Sequence, residues 1–130
     1  MKLTAQRAQR LVVAAAAARR YAHAPYSKFR VGAALLASSG KIYTGVNVEN
    51  ASYGLTICAE RMAVSNAVAA GERRFVAVAI VAPGAATPCG ACRQVLAEFG
   101  DCVVICADAR RLGRMSIEPL SGLLPQAFRI

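Results

Sequence analysis

Two short stretches of this 130-residue chain are its most informative feature, Cys58-Ala59-Glu60 and Pro88-Cys89-Gly90-Ala91-Cys92. Cys89 and Cys92 have the i,i+3 spacing that places two side chains on one face of a helix. Together with Cys58 they offer three thiolates, which fill three of the four positions around a tetrahedral zinc ion. The fourth position is left for water, and Glu60 lies close enough in sequence to carry protons between that water and a substrate.

A Cys-x-Glu motif followed by Pro-Cys-x-x-Cys is the pattern of a zinc deaminase in which a third cysteine replaces the usual histidine. The competing interpretation is a structural zinc site, which four protein ligands normally close. The sequence offers no convincing fourth ligand, because its only histidine, His23, lies far from both motifs. The two other cysteines, Cys102 and Cys106, fall in a strand-like run. An open, catalytic site is therefore favoured.

Two arginines, Arg61 and Arg93, closely follow the cysteine stretches. Zinc with three thiolates carries a net negative charge, and guanidinium hydrogen bonds to sulfur would offset it. The N-termini of the two predicted helices would add positive potential at the same place. We predict that both arginines donate to thiolate sulfur, with ordinary surface arginines as the alternative.

Asn47 and Glu49 are two residues apart in a predicted strand, so their side chains share one face. Val46 and Val48 would then face the other way, into the core. An amide beside a carboxylate suits vicinal hydroxyls such as those of a ribose. A polar strand face exposed to water is an equally good interpretation of the spacing alone.

The composition is apolar and basic, with 56% hydrophobic residues, 18% charged residues and a net charge of +9. The apolar excess predicts surface buried between subunits, and hence a homo-oligomer. The charge invites a nucleic-acid partner, but the arginines lie in small scattered groups and no basic run alternates with aromatic residues. We expect a solvated basic surface, with an anionic partner as the alternative.

Five cysteines, an odd number, fit a reducing compartment better than a disulfide framework. In an extended strand the Cα atoms of Cys102 and Cys106 would lie about 13 Å apart. A disulfide needs a separation below about 7 Å, so these two cysteines are expected to be small buried apolar residues.

The N-terminal segment resembles a secretion signal, because Lys2, Arg7 and Arg10 precede the apolar run 11–18. Arg19 and Arg20 follow that run directly, however, and its apolar residues recur at helical spacing. We therefore expect an amphipathic helix of a cytoplasmic protein, and no run approaches the length of a membrane span.

The remaining pattern predicts one domain over residues 1–130 with alternating helices and strands. Helices are predicted at residues 4–21, 59–70, 89–99 and, briefly, 119–123. Strands are predicted at residues 29–36, 42–49, 75–82, 102–107 and 114–117, the first two as a hairpin. This order indicates the α/β class, with three α/β/α layers and a mixed five-stranded sheet.

Several motifs make the chain similar to the small cytidine deaminases. The likeness runs almost end to end, through residues 24–34 (APYSKFRVGAA), 47–53 (NVENASY), 58–61 (CAER), 88–94 (PCGACRQ) and 123–128 (LLPQAF).

The resemblance implies a homotetramer with one Zn²⁺ per subunit, which converts cytidine and deoxycytidine to uridine and deoxyuridine for pyrimidine salvage. It also implies a role for each matching residue. Cys58, Cys89 and Cys92 would bind the zinc, and Glu60 would be the proton shuttle. Asn47 and Glu49 would bind the sugar, while Phe29 and the Ala59 backbone would contact the base. Ala51, Tyr53 and Phe128 would contribute to a neighbouring subunit's site.

Three other functions compete with the nucleoside deaminase. A deaminase for a cytosine-containing antibiotic such as blasticidin S would use the same zinc chemistry. A deaminase of single-stranded nucleic acid would need an open groove for the flanking nucleotides, which a cap by Phe128 would close. A zinc-stabilised nucleic-acid-binding module would bind zinc without releasing ammonia.

Overall fold

The centre of the protein is a mixed sheet of five strands, seen in a computed structural model that describes residues 1–130. The strands are β1 (Gly32–Ala37), β2 (Ile42–Val46), β3 (Phe75–Ala82), β4 (Val103–Asp108) and β5 (Arg111–Pro119). Their order across the sheet is β2-β1-β3-β4-β5, and only β3 and β4 are parallel neighbours. The predicted mixed five-stranded sheet is confirmed.

Helices cover both faces of this sheet. They are α1 (Ala5–Arg19), α2 (Ala59–Ala69), α3 (Gly90–Ala97) and α4 (Leu120–Leu123). Leu11 and Val12 of α1 belong to the apolar cluster on one face, whereas Ala63 of α2, Leu96 of α3 and Leu120 of α4 belong to the cluster on the other. The chain therefore has the predicted three α/β/α layers.

Strand β3 contributes to both layers, because successive side chains of a strand point to opposite faces. Ala77 and Ala79 join the cluster beneath α1, and Val78 and Ile80 join the cluster beneath α2 and α3. Seven of its eight residues are buried, as the unbroken apolar run predicts for a central strand.

Both cysteine-bearing helices begin at the same end of the sheet. Because α2 leads into the start of β3, the N-terminus of α2 lies near the carboxyl end of that strand. Because α3 follows β3, it also begins near that end. The side chains of Cys58 and Cys89 consequently line one cavity together with Ile80 and Ala82 of β3.

Close packing at a glycine of β2 fixes how near α2 approaches the sheet. A Cβ atom added to Gly45 would overlap the Ala59 carbonyl oxygen and lie 2.5 Å from the Ala63 nitrogen, both in α2. Gly32 of β1 plays the same part beneath α1, where an added Cβ would lie 2.8 Å from the Arg19 Cβ. These two glycines therefore allow one helix on each face to pack directly against the sheet backbone.

The hairpin strands are shorter than predicted. β1 begins at Gly32 instead of residue 29, because the backbone of Phe29 and Val31 is hydrogen-bonded to the Asn47 side chain. β2 ends at Val46 instead of residue 49, because the Asn47 carbonyl accepts a hydrogen bond from the His23 backbone, outside the hairpin. Asn47 and Glu49 thus lie beyond the regular strand.

The last strand is longer than predicted. β5 covers Arg111–Pro119 and pairs with β4 from Val103↔Pro119 to Asp108↔Arg111. The sequence pattern does not indicate the full length of β5, because this exposed edge strand is rich in arginine and lacks a regular alternation of apolar residues. A short 3-10 turn at Tyr53–Leu55 was also not predicted.

Cys102 and Cys106 are buried and unpaired, as predicted, although β4 itself begins one residue after Cys102. Burial raises the pKa of the Cys102 thiol to about 12, so this side chain is an unreactive part of the core. No helix in the fold has the length and apolar character needed to cross a membrane.

We expect Gly45→Ala to destabilise the protein by about 1–3 kcal/mol, the usual cost of forcing extra volume into a packed interior. The added methyl would push α2 away from β2 and displace the start of that helix. Chemical denaturation measures the loss, and Gly113→Ala is the matched control, since nothing lies within 4 Å of a Cβ added there. Equal stability of both variants would contradict the role given to Gly45.

Candidate metal centre and substrate cavity

Cys58 and Cys89 each occupy the position immediately before a helix, Cys58 before α2 and Cys89 before α3. The backbone is extended at both residues, and neither side chain caps its helix with a hydrogen bond. Cys92 lies in the first turn of α3 and is fully buried. All three sulfur atoms are therefore free to meet between the two helix starts.

The three sulfur atoms lie within 4.8 Å of one another, and the Cys89 and Cys92 Sγ atoms are 3.5 Å apart. Tetrahedral zinc with Zn–S bonds of about 2.3 Å requires sulfur atoms about 3.8 Å apart. The donor set therefore fits zinc. No histidine or carboxylate joins the group, which leaves one position of the tetrahedron open.

The protein environment favours negative charge on Cys58. A hydrogen bond with Cys92 and then the Arg61 guanidinium, whose Nη2 is 3.4 Å from the Cys58 Sγ, lower the pKa of the Cys58 thiol. The same hydrogen bond, together with burial, raises the pKa of Cys92. The surroundings of the three sulfurs thus favour the thiolate form at Cys58 over the thiolate form at Cys92.

Arg61 donates to sulfur as predicted. Its Nη2 also lies 3.4 Å from the Thr56 carbonyl oxygen, and its Nε is buried without a hydrogen-bond partner. The side chain is only half-buried, and its guanidinium gains a favourable charge interaction from the neighbouring Cys58 sulfur.

Arg93 does not donate to sulfur, so that part of the prediction is wrong. Its Nε donates to the Pro88 carbonyl at 2.8 Å and its Nη1 to the Leu123 carbonyl at 2.9 Å. Its Nη2 lies 3.4 Å from the Thr87 hydroxyl. The guanidinium reaches the carbonyl oxygens because α4 ends beside the loop that leads to Cys89. Arg93 therefore fixes the backbone that carries a ligand rather than the ligand sulfur.

Glu60 lies in the first turn of α2 and is only 6% exposed. Burial is the main cause that raises the pKa of its carboxyl group, and the negative charge of Cys58 adds to the effect. Its side chain lines the same cavity as Cys58 and Cys89. A carboxyl group with a raised pKa beside a metal centre is suited to accept and return a proton.

The cavity at the metal centre has a volume of about 200 Å³. Its walls are mostly apolar, with a few polar groups among them. The lining residues are Phe29, Val31, Asn47, Thr56, Cys58, Ala59, Glu60, Ile80, Ala82, Ala86, Thr87 and Cys89. A larger groove of about 620 Å³ between α2 and α3 contains none of the cysteine sulfurs, so we assign the chemistry to the smaller cavity.

A second, more open cavity of about 440 Å³ lies next to the first and is lined by Tyr26, Ser27, Glu49, Tyr53 and Thr56. Thr56 belongs to both cavities. The arrangement suits a ligand in two parts, one mostly apolar beside the metal centre and one polar beside the Glu49 carboxylate.

Asn47 and Glu49 fall in different cavities, Asn47 in the first and Glu49 in the second. The Asn47 Oδ1 accepts from the Val31 N–H at 2.9 Å, and its Nδ2 donates to the Phe29 carbonyl at 2.7 Å. Asn47 is buried, whereas Glu49 is partly exposed and is tied to the loop at Tyr26 and Ser27.

Ala51, Tyr53 and Phe128 are exposed, and none of them reaches the cavity that contains the cysteines. Tyr53 stacks edge-on against Tyr26, with the ring centres 6.0 Å apart. The Phe128 ring is 74% exposed while its backbone exchanges two hydrogen bonds with the Gln94 side chain. These rings are thus held at the surface, available to a neighbouring molecule.

Sequence reasoning missed Thr56, Thr87 and the role of Gln94. Thr56 and Thr87 each stand two residues before a cysteine ligand and accept hydrogen bonds from Arg61 and Arg93, respectively. The repeated Thr-x-Cys spacing was the available signal. No local pattern indicates that Gln94 holds the C-terminal segment, because its partner lies 34 residues away.

Comparison with known proteins supports one family. The sequence model of the protein family described as "cytidine and deoxycytidylate deaminase zinc-binding region" matches residues 5–108. The chain is 48% identical over 124 residues to a cytidine deaminase of Sporosarcina psychrophila, which covers 92% of this chain and 90% of the relative. The crystal structure of a cytidine deaminase from Burkholderia pseudomallei is 47% identical, with a TM-score of 0.88 over 97% of this chain and 100% of that one.

A cytidine deaminase from Mycobacterium tuberculosis has the same fold, with a TM-score of 0.78 and 39% identity over 94% of this chain and 97% of that one. The matched family region contains the three cysteines and the buried glutamate described above. The chain belongs to the zinc-binding cytidine and deoxycytidylate deaminase family.

Proposed function

We propose that this protein hydrolyses cytidine and deoxycytidine to uridine and deoxyuridine, with release of ammonia. The observation that carries the proposal is a buried carboxyl group, Glu60, that opens into the same cavity as Cys58 and Cys89. The likeness to proteins named cytidine deaminase, at 48% identity over most of the chain, supports the choice of substrate.

Zinc would be held by Cys58, Cys89 and Cys92, and when bound it supplies the Lewis acidity that ionises water at neutral pH. Arg61 balances part of the negative charge of the three thiolates through its contact with Cys58. The N-termini of α2 and α3 add positive potential, because Cys58 and Cys89 immediately precede them.

Glu60 is the group that moves protons. It accepts a proton from the attacking water and delivers it to the ring nitrogen beside the attacked carbon. It then takes the proton of the hydroxyl now on the attacked carbon and passes it to the amino group. The bond between that carbon and the amino nitrogen breaks, ammonia leaves, and the oxygen stays on the ring as a carbonyl. Because burial raises the pKa of Glu60, its protonated form is accessible during this cycle.

The rest of the cavity holds the nucleoside. Phe29 and the Ala59 backbone line the space beside the metal centre and would contact the pyrimidine ring. Beyond its two hydrogen bonds to the backbone, the Asn47 side chain has one free amide hydrogen and one free acceptor site. The Glu49 carboxylate, in the second cavity, can also accept a further hydrogen bond. Both side chains can therefore still bind sugar hydroxyls.

We further propose a homotetramer whose active sites are shared between subunits. Ala51 and Phe128 are exposed and line neither cavity of their own chain, and Tyr53 lines only the more open second cavity. These positions suit residues that complete a neighbour's site. All five cysteines are unpaired, and this agrees with a cytoplasmic location.

Replacing Glu60 by Gln should lower turnover of cytidine by about a thousandfold or more, since the amide cannot shuttle protons. Zinc content should stay at the level of the original protein, because Glu60 is not among the ligands. Ultraviolet absorbance follows the conversion to uridine, and metal analysis follows zinc. Glu98→Gln is the control, an exposed glutamate at the end of α3.

Blasticidin S and single-stranded oligonucleotides belong in the same assay. Conversion of either one, with none of cytidine, would replace the proposed substrate. Zinc binding without ammonia release from any substrate would make the site structural.

In zinc-free protein, Cys58 should react with iodoacetamide at a lower pH than an ordinary thiol, whose pKa is about 8.5. The thiolate is the reactive form, so a lowered pKa keeps Cys58 reactive as the pH falls, until the pH drops below that lowered value. Arg61→Gln should shift the loss of reactivity to higher pH. Peptide mass spectrometry measures the labelling, and buried Cys102 should stay unlabelled in the neutral range.

Phe128→Ala should reduce kcat/KM about tenfold through loss of one aromatic contact, and mixing it with Glu60→Gln should restore activity. In a mixed oligomer, an intact Glu60 on one chain meets an intact Phe128 on another. The control is Phe128→Ala mixed with a chain that carries both substitutions, which cannot form a complete shared site. Absence of any gain in the first mixture would argue against shared sites.

A further inference from the structure

The Ser27 hydroxyl connects two residues that line the substrate space, Glu49 through its carboxylate and Phe29 through its backbone N–H. It donates a hydrogen bond to the Glu49 Oε2, and it accepts one from the Phe29 N–H at 3.0 Å. Glu49 lines the second cavity, and Phe29 lines the cavity at the metal centre. A single side chain thus links the two parts of the substrate space.

The hydrogen bonds to Glu49 leave its carboxylate with little free capacity. Oε1 accepts from the Tyr26 N–H at 3.0 Å and from the Ser27 N–H at 3.2 Å, and Oε2 accepts from the Ser27 hydroxyl. A carboxylate offers about four acceptor sites. The one acceptor site that remains is on Oε2. The direction in which this site points depends on the Ser27 side chain, because the Ser27 hydroxyl is bonded to the same oxygen.

Phe29 is held from both sides of its peptide backbone. Its N–H donates to the Ser27 hydroxyl, and its carbonyl accepts from the Asn47 Nδ2 at 2.7 Å. Lys28, the residue between Ser27 and Phe29, has a φ angle of 61°, in the left-handed region that residues other than glycine rarely adopt. The loop therefore keeps this bend through the hydrogen bonds on either side of it.

We propose that Ser27 is a positioning residue that orients the Glu49 carboxylate toward the sugar and at the same time fixes the Phe29 ring beside the base. This inference rests on the proposed function, because it assigns the sugar to Glu49. Ser27 does not touch the reacting atoms. It acts through Glu49 and Phe29, so its loss weakens substrate binding more than it slows the chemical step.

The chain contains a matched control for this motif. Ser39 donates from its hydroxyl to the Glu72 carboxylate at 2.6 Å and accepts from the Lys41 N–H at 3.3 Å, two residues later. Ser27 has the same two contacts, with a glutamate and with the N–H two residues later. Ser39 lies in the turn between β1 and β2 and lines neither of the two substrate cavities.

The test compares Ser27→Ala, Ser27→Thr and Ser39→Ala in the zinc-loaded protein. For Ser27→Ala we expect KM for cytidine to rise about ten- to a hundredfold, the loss of one hydrogen bond to a charged group. The kcat should change by no more than about threefold, and Ser27→Thr, which keeps the hydroxyl, should recover most of the binding. Ser39→Ala should leave both constants unchanged.

A double-mutant cycle tests whether Ser27 acts through Glu49. With Glu49→Gln in place, Ser27→Ala should raise KM by much less than it does alone. Equal effects in both backgrounds, or a fall in kcat with KM unchanged, would overturn the proposal. So would a failure of Ser27→Thr to recover binding.

A readout without turnover separates this inference from the proposed function. The Ser27 hydroxyl is the main cause that lowers the pKa of Glu49, ahead of the loop N–H groups and the His23 charge. In an NMR titration of the Glu49 carboxyl group, Ser27→Ala should raise that pKa. If the original protein fails to convert cytidine, the proposed function fails; if Glu49 titrates identically in both proteins, the inference about Ser27 fails.

Discussion

Three cysteine sulfurs must meet at one point, with a buried carboxyl group lining the cavity beside them, and this requirement governs how the helices pack on the sheet. The fold meets it by starting α2 and α3 at the carboxyl end of β3. Gly45 permits α2 to lie directly on β2, which sets the depth of Cys58 and Glu60. A side chain at that position would separate the carboxylate from the sulfurs of the other helix.

Such a collection of negative groups is unfavourable in a buried place unless positive charge lies close by. The protein supplies that charge in two forms, the guanidinium of Arg61 and the N-terminal ends of two helices. Arg93 has a different task, because it holds the Pro88 and Leu123 carbonyls together. Both arginines closely follow a ligand in the sequence, yet Arg61 balances charge and Arg93 fixes the backbone.

Local patterns predicted most of the fold, including β3, α2, the hairpin and the convergence of the three cysteines, because apolar periodicity and helix starts are encoded in neighbouring residues. They failed where a distant side chain decides the backbone. Asn47 shortens β1 through bonds to Phe29 and Val31, and Arg93 finds a partner at Leu123. Spacing alone could not reveal these contacts, nor the division of Asn47 and Glu49 between two cavities.

The ligand set has a consequence for folding as well as for chemistry. Cys58 belongs to one helix start and Cys89 and Cys92 to another, with all of β3 between them in the chain. A metal ion at this point would join the two helix starts in the folded chain only, because the unfolded chain does not hold the three sulfurs together. Zinc bound to the folded chain would therefore raise the free energy of unfolding, by an amount that grows with the concentration of free zinc.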